Sequence, residues 1–155
     1  MARGTTGITV YPGDKQPTAA QAAAFEEFVK NQQAYATESI DAILKFYKAN
    51  RGALRKEYDG DTLSAMDRCF MVEKELRNAA AVFPNLKKAE DLQDWIELDN
   101  IHVFPEDGSK SVAIGLEFRA PWAGSAINHG NIGLRWRDGK LEAIGRGDVA
   151  YPEKS

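Results

Sequence analysis

The sequence predicts an α+β protein in which N-terminal amphipathic helices pack on one face of a C-terminal antiparallel β-meander. Apolar residues recur at helical spacing in the first half of the chain, and their period changes to two after Asp99. Neither a linker nor an internal repeat divides the sequence. We therefore expect a single domain over 1–155, with a possible edge strand and turn at 1–16, a helical half at 17–97 and an antiparallel sheet at 98–151.

Composition limits the class of protein. A chain of 155 residues has the usual size of one domain. Its formal charge of −3 offers no basic surface for a polyanion, so we expect no nucleic-acid partner. The sequence shows no long apolar run and no signal-peptide pattern, and its single cysteine cannot form an intramolecular disulfide. We expect a cytoplasmic protein without membrane contact, and the oligomeric state stays open.

The helical half begins with a clear start signal. After a possible short strand at 7–11, Thr18 and Gln21 have the spacing of a capping box. Neither Gly nor Pro interrupts 18–50, and a straight helix of that span would be about 50 Å long. A compact chain of this length has a radius of gyration of only about 15 Å. We therefore expect a break near Tyr35–Thr37.

Two further helical segments are predicted before the sheet. The "YDGD" at 58–61 is typical of a turn, and a second amphipathic segment should follow it until Pro84. The stretch "KKAEDLQDWIEL" at 87–98 predicts a short helix. Its inward-facing residues should be Leu92, Trp95 and Ile96.

The sheet is predicted from strict alternation. We expect strands at 101–104 and 111–119, the second of them apolar on one face only and therefore half buried. Asp138-Gly139 lies between two alternating runs, and this dipeptide is typical of a type I′ hairpin turn, in which both central residues have positive φ.

The candidate binding surface is the face of this sheet that points away from the apolar residues. Arginine is enriched at protein interfaces because its planar guanidinium pairs with carboxylates and stacks on aromatic rings. An exposed arginine strip beside a Trp-containing loop could receive an acidic protein partner; alternatively, it is a solvated face with cross-strand Glu–Arg pairs. The candidate partner-binding residues are Arg119, Trp122, Asn128, His129, Arg135, Arg137 and Asp148.

The histidines do not predict a metal site. His129 ends the longest loop, where it could act on a ligand or simply close the loop through a hydrogen bond. His102 lies within a strand, and we expect it to be a surface or half-buried residue. Neither histidine belongs to a His/Cys/Glu cluster with ligand spacing, and the chain has no phosphate-binding loop or dinucleotide fingerprint. We therefore expect neither metal nor cofactor.

Other reactive residues fit structural roles. Cys69 lies in a helical segment and is expected to be a small core residue. The acidic pairs Glu90-Asp91 and Glu106-Asp107 lie where helix starts and turns usually carry carboxylates.

Several stretches resemble a group of small bacterial proteins of unknown function. They are "PTAAQAAAFEEFVKNQQAYATESIDAILKFYKAN", "EDLQDWIELDNIHVF", a Trp-containing loop that ends in His-Gly, and the closing "LRWRDGKLEAIGRGDVAY". The resemblance covers about 17–151. Proteins of this kind resemble predicted immunity partners of secreted bacterial toxins, which implies a protein-binding role.

The resemblance carries over at ten positions: Gln21, Phe28, Asn31, Trp122, His129, Gly130, Ile144, Gly145, Asp148 and Ala150. One departure concerns the loop between Trp and His, which is acidic in the group but here reads "AGSAIN" at 123–128. A role that depends on those acids would be lost in this chain.

Two functions follow from these observations. We prefer a non-enzymatic protein-binding module, of the kind that neutralises a bacterial toxin. The alternative is a small hydrolase or transferase in which His129 is the general base and Asp148 orients it. The same residues could instead be a structural lock, with Asp148 accepting hydrogen bonds from the His129 loop.

Overall fold

The computed structural model describes residues 6–13, 16–69, 83–109, 111–123 and 130–152, without the side chains of 58–69. The α-helices are α1 (Ala19–Lys30), α2 (Gln32–Cys69) and α3 (Ala89–Leu92). The strands are β1 (Gly7–Val10), β2 (Glu97–Val103), β3 (Ile114–Ala120), β4 (Gly130–Arg137) and β5 (Lys140–Arg146). Short 3-10 helices follow β3 at Pro121–Ala123 and β5 at Gly147–Ala150.

The five strands form one sheet in the order β1-β2-β3-β4-β5. The neighbours from β2 to β5 are antiparallel, and β1 runs parallel to β2 at the edge. Asp138 and Gly139 connect β4 to β5 with φ values of 52° and 74°, as the hairpin signal predicts. The α+β prediction is therefore confirmed.

The first helix begins as predicted and ends earlier than expected. Thr18 and Gln21 form the capping box at the start of α1. The helix breaks at Asn31, not near Tyr35–Thr37. The Asn31 side chain donates to the carbonyl oxygen of Glu27 (3.0 Å), which is the local competition with the backbone that makes Asn unfavourable inside a helix.

The turn expected at 58–61 is absent, because α2 continues through these residues to Cys69. One glycine costs a helix only about 1 kcal/mol, and the four residues at 54–57, Leu-Arg-Lys-Glu, are good helix formers. With 38 residues, α2 is about 57 Å long at 1.5 Å per residue, so the size argument for short helices was wrong. The rest of the second amphipathic segment, 70–82, lies outside the described residues, as does the side chain of Cys69.

The core lies between the helices and one face of the sheet, which we call the helix face. Tyr35 contacts the rings of Phe28 and Trp136 at centroid distances of 5.0 and 5.2 Å. Further along α2, the ring of Tyr47 lies 4.8 Å from that of Trp122. In the third helical segment Leu92 and Ile96 are buried, while Trp95 is partly buried.

The opposite face, which we call the far face, is covered in its centre by the 3-10 helix Gly147–Ala150. A Cβ atom on Gly115 would lie 1.9 Å from the carbonyl oxygen of Ala150, and one on Gly133 would lie 2.7 Å from the Ala150 nitrogen. The expectation that β3 is half buried is therefore wrong: Gly115 and Glu117 are buried on this face too. A contact between the tail and mid-strand glycines is non-local, so alternation in β3 alone could not predict it.

Candidate functional site

A buried polar cluster occupies the far face beside the tail. Glu117 Oε1 lies 3.1 Å from His102 Nε2. Glu117 Oε2 accepts hydrogen bonds from Asn131 Nδ2 (2.6 Å) and from the hydroxyl of Tyr151 (2.9 Å). His102 and Glu117 are only 3% and 5% exposed, whereas Tyr151, at the edge of the cluster, is 43% exposed.

The hydrogen bonds of the cluster favour one tautomer of the His102 ring. Because a carboxylate can only accept, the tautomer with its hydrogen on Nε2 is the one that bonds to Glu117. In the neutral ring Nδ1 then accepts from the hydroxyl of Tyr11, 2.8 Å away. The rings of Tyr11 and Tyr151 lie against the imidazole at centroid distances of 5.8 and 4.5 Å. Both ring nitrogens are therefore engaged.

The two tyrosine hydroxyls of the cluster keep their protons near neutral pH, because their pKa values are raised. Burial, followed by the hydrogen bond to Glu117, raises the pKa of Tyr151 to about 12. Burial and then the charge of Glu117 also raise the pKa of Tyr11. A phenol with a raised pKa is a poor nucleophile and a poor acid near neutral pH. The hydrogen bonds of Tyr11 and Tyr151 join the end of β1 and the C-terminal tail to the middle of the sheet, and we call this cluster the lock.

Sequence reasoning missed this cluster, because it treated His102 as a surface or half-buried residue. One signal in the sequence could have indicated it. Gly115 and Gly133 lie in strand interiors, which indicates close approach of another part of the chain. In the structure His102 lies directly across from Gly115 in the β2–β3 pair.

Arg137 lies on the far face as predicted but is held by neighbouring groups. Its guanidinium donates to Glu142 (2.8 Å) and Asp107 (3.1 Å) and to the carbonyl oxygen of Ser111 (2.6 Å). The side-chain and backbone hydrogen bonds of Ser109, together with the charge of Arg137, lower the pKa of Asp107 to about 2. Through these hydrogen bonds Arg137 joins the loop after β2 to the β4–β5 hairpin.

Arg135 is also engaged within the chain. Its guanidinium lies over the ring of Phe104, 5.8 Å from the ring centroid, and 3.9 Å from a carboxylate oxygen of Glu142. Its side chain is 25% exposed. The expected exposed arginine strip is therefore incomplete, because each of these two arginines already has a carboxylate neighbour.

Arg119 is the arginine that faces solvent, at the opposite end of the far face. Its side chain is 56% exposed and pairs with Asp99 at 3.1 Å. A shallow cavity of about 200 Å³ lies beside it. We call this feature the Arg119 recess; its lining residues are Asp94, Trp95, Ile96, Glu97, Arg119 and Pro121.

The remaining predicted site residues are divided between core, surface and undescribed chain. Trp122 is fully buried against Tyr47, which corrects the expectation that it lies on the exposed surface. Asp148 is exposed, and its carbonyl oxygen accepts from the backbone N–H of Tyr151 at 3.0 Å. Asn128 and His129 lie outside the described residues, so the pairing of His129 with Asp148 stays a prediction.

The described residues contain neither a cluster suited to a metal ion nor a helix suited to a membrane. Those residues contain no group of three or more His, Cys, Asp or Glu side chains placed to hold a metal ion. No helix in the described part of the chain combines the length and the apolar character that a membrane crossing requires.

The fold and the site define an α+β protein whose sheet carries helices on one face and a locked C-terminal tail on the other. Residues 4–151 match the model of a domain of unknown function, DUF6985, and the chain belongs to that family. No curated protein and no solved structure gave a significant match to the sequence.

Proposed function

We propose that this protein is a non-enzymatic protein-binding module that docks its partner at the Arg119 recess. The observation that carries this proposal is an exposed arginine beside a partly buried tryptophan, in a recess whose described lining contains no residue of α1 or α2. Arginine and tryptophan are the residue types most enriched among those that dominate binding energies. Pro121 belongs to the loop predicted at 120–130, which the sequence also favours as a contact.

The charges around the recess favour a basic partner surface rather than the acidic one expected from the arginines. Asp94, Glu97 and Asp99 lie around the single guanidinium of Arg119, so the local charge is negative. The net charge of the whole chain, −3, has the same sign. Complementary charge raises association rates and disfavours wrong partners. A partner with Lys or Arg around an apolar patch would therefore fit the recess.

The class of partner that we propose is a protein toxin, which this chain would neutralise by binding. This part of the proposal rests on the resemblance of the sequence to predicted immunity proteins. The geometry adds support for the recess, because the hydrogen bond between His102 and Glu117 joins β2 to β3, the two strands that carry Glu97 and Arg119.

The test is capture and rescue with the product of the neighbouring gene. The tagged chain should form a complex with that product and should relieve its toxicity on co-expression. If neither complex nor rescue is found, the toxin-neutralising role is wrong.

A matched pair of charge reversals then tests the docking surface. Asp94→Lys and Asp41→Lys make the same change at exposed positions, one in the recess and one on α2. We expect Asp94→Lys to weaken the complex by about fivefold or more, mainly through the association rate, and Asp41→Lys to have little effect. Equal effects of the two variants would place the docking surface elsewhere.

A further inference from the structure

A second cavity, of about 700 Å³, lies on the helix face between the α1–α2 junction and the sheet. This volume is within the range of about 300–1,000 Å³ that is typical of small-molecule sites. Its floor consists of the side chains of Phe28, Tyr35, Leu98, Ile101, Leu116 and Phe118.

The floor is apolar. Phe28, Leu116 and Phe118 are 6%, 1% and 8% exposed, so each of these side chains keeps only a small exposed surface. An apolar ligand would remove this surface from water at roughly 25 cal/mol per Å².

The rim is polar and carries one charge. Lys30, Gln32 and Gln33 lie at the mouth of the cavity, and no carboxylate belongs to its described lining. The cation and the amide N–H groups thus favour a negatively charged group at the mouth.

We propose that this cavity binds a small amphiphile whose apolar body covers the floor and whose anionic head pairs with Lys30. The helix break creates the mouth, because α1 ends at Lys30 and α2 begins at Gln32. Tyr35, in the floor, is held by a hydrogen bond of 2.7 Å from its hydroxyl to Glu27 Oε2. None of the described residues that line this cavity lines the Arg119 recess.

Decanoate is a suitable probe, because it joins an apolar chain to a carboxylate. Isothermal titration calorimetry, at concentrations below micelle formation, should show one decanoate bound per chain. Decyltrimethylammonium, with the same chain and the opposite charge, should bind about fivefold more weakly, the upper range for an exposed ion pair. Absence of decanoate binding, or equal binding of the two amphiphiles, would overturn the proposal.

Two pairs of variants locate the site. Lys30→Gln should abolish the preference for decanoate, whereas Lys45→Gln, at another exposed helix position, should retain it. Ala36→Trp places a large ring in the lining and should abolish binding of both probes, whereas Ala34→Trp, exposed on the same helix and outside the described lining, should not. Thermal unfolding of each variant confirms that it is folded. Retained binding in a folded Ala36→Trp variant would contradict this location.

Discussion

At the scale of single residues, Gly115 decides how closely the C-terminal tail can approach the sheet. Any Cβ at this position would overlap the backbone of Ala150, which is itself fully buried. Backbone atoms cannot move aside as the end of a flexible side chain can. The lock on the far face therefore depends on the absence of a side chain at Gly115.

Replacing this glycine tests that dependence. Gly115→Ala should lower the free energy of unfolding by about 3 kcal/mol or more, because overpacking against backbone forces the tail away from the sheet. Urea unfolding measures the change. Gly52→Ala is the matched control: it lies in α2 with nothing within 4 Å of its Cβ position, and it should stabilise the helix by about 0.5–1 kcal/mol. Similar effects of the two variants would contradict the close approach at Gly115.

Tyr151 makes the free energy of unfolding depend on pH in the alkaline range. Its phenol has an ordinary pKa of 10.0, which the folded protein raises to about 12. Between these values the unfolded chain releases the proton and the folded chain keeps it, so the free energy of unfolding falls as pH rises. The stabilisation is complete below pH 10.0 and is lost towards about pH 12.

Tyr151→Phe should therefore flatten this part of the stability curve. The difference in unfolding free energy between the native chain and the variant should be constant from about pH 7 to 9 and should shrink above pH 10. Denaturant titrations over this pH range measure it. Parallel curves up to about pH 12 would mean that Tyr151 does not keep its proton in the folded state.

At the scale of elements, Gln21 connects the start of α1 to the sheet. Its side-chain oxygen accepts from the N–H of Thr18 (3.0 Å), and its side-chain nitrogen donates to the carbonyl oxygens of Tyr11 (2.5 Å) and Phe104 (2.9 Å). The side chain is 3% exposed. Gln21 therefore does more than cap a helix, because it also joins the chain segments that follow β1 and β2.

Two substitutions separate capping from this connection. Thr18→Ala removes only the cap and should cost about 1 kcal/mol of unfolding free energy. Gln21→Met keeps the side-chain volume but leaves carbonyl groups without their donor, and it should cost about 2–3 kcal/mol. Chemical denaturation of both variants provides the comparison. Equal losses would reduce Gln21 to a capping residue.

Asp107, in the loop after β2, has a lowered pKa that a titration can measure. The hydrogen bonds of Ser109 come first among the causes that lower the pKa of Asp107 from 3.8 to about 2. The carboxylate therefore stabilises the folded loop above pH 3.8, and this contribution is lost as pH falls towards about 2.

Ser109→Ala should raise the pKa of Asp107 towards its ordinary value, and carbon-detected NMR titration measures it. Ser111→Ala is the control, because the Ser111 hydroxyl donates to Asp138 instead. If Ser109→Ala left the pKa of Asp107 near 2, the backbone N–H of residue 109 and Arg137, rather than the serine hydroxyl, would be the main causes.

At the scale of the whole molecule, local patterns predicted what local forces determine. The period of the apolar residues gave the α+β class, and Thr18 with Gln21 gave the start of α1. Asp138-Gly139 predicted the hairpin, because positive φ at both positions is a local requirement. The end of α1 at Asn31 and the length of α2 depend on small differences in the free energy of helix formation, and both were predicted wrongly.

The candidate site was harder to predict because it depends on contacts between residues that lie far apart in the sequence. Alternation placed Arg135 and Arg137 on the far face correctly, but it could not show that Glu142 and Asp107 already pair with them. Burial of His102 depends on a tail that begins many residues later in the chain. The strand period gives the face on which a residue lies, whereas tertiary contacts decide whether that face meets solvent.

Oxidative footprinting of the tryptophans, on the free chain and on its complex with the captured partner, tests the central claim that docking occurs at the Arg119 recess. In the free chain Trp95 should be oxidised, while Trp122 and Trp136, which are 0% and 2% exposed, should resist. In the complex Trp95 should become protected. Equal oxidation of Trp95 in the free and bound states would contradict the claim.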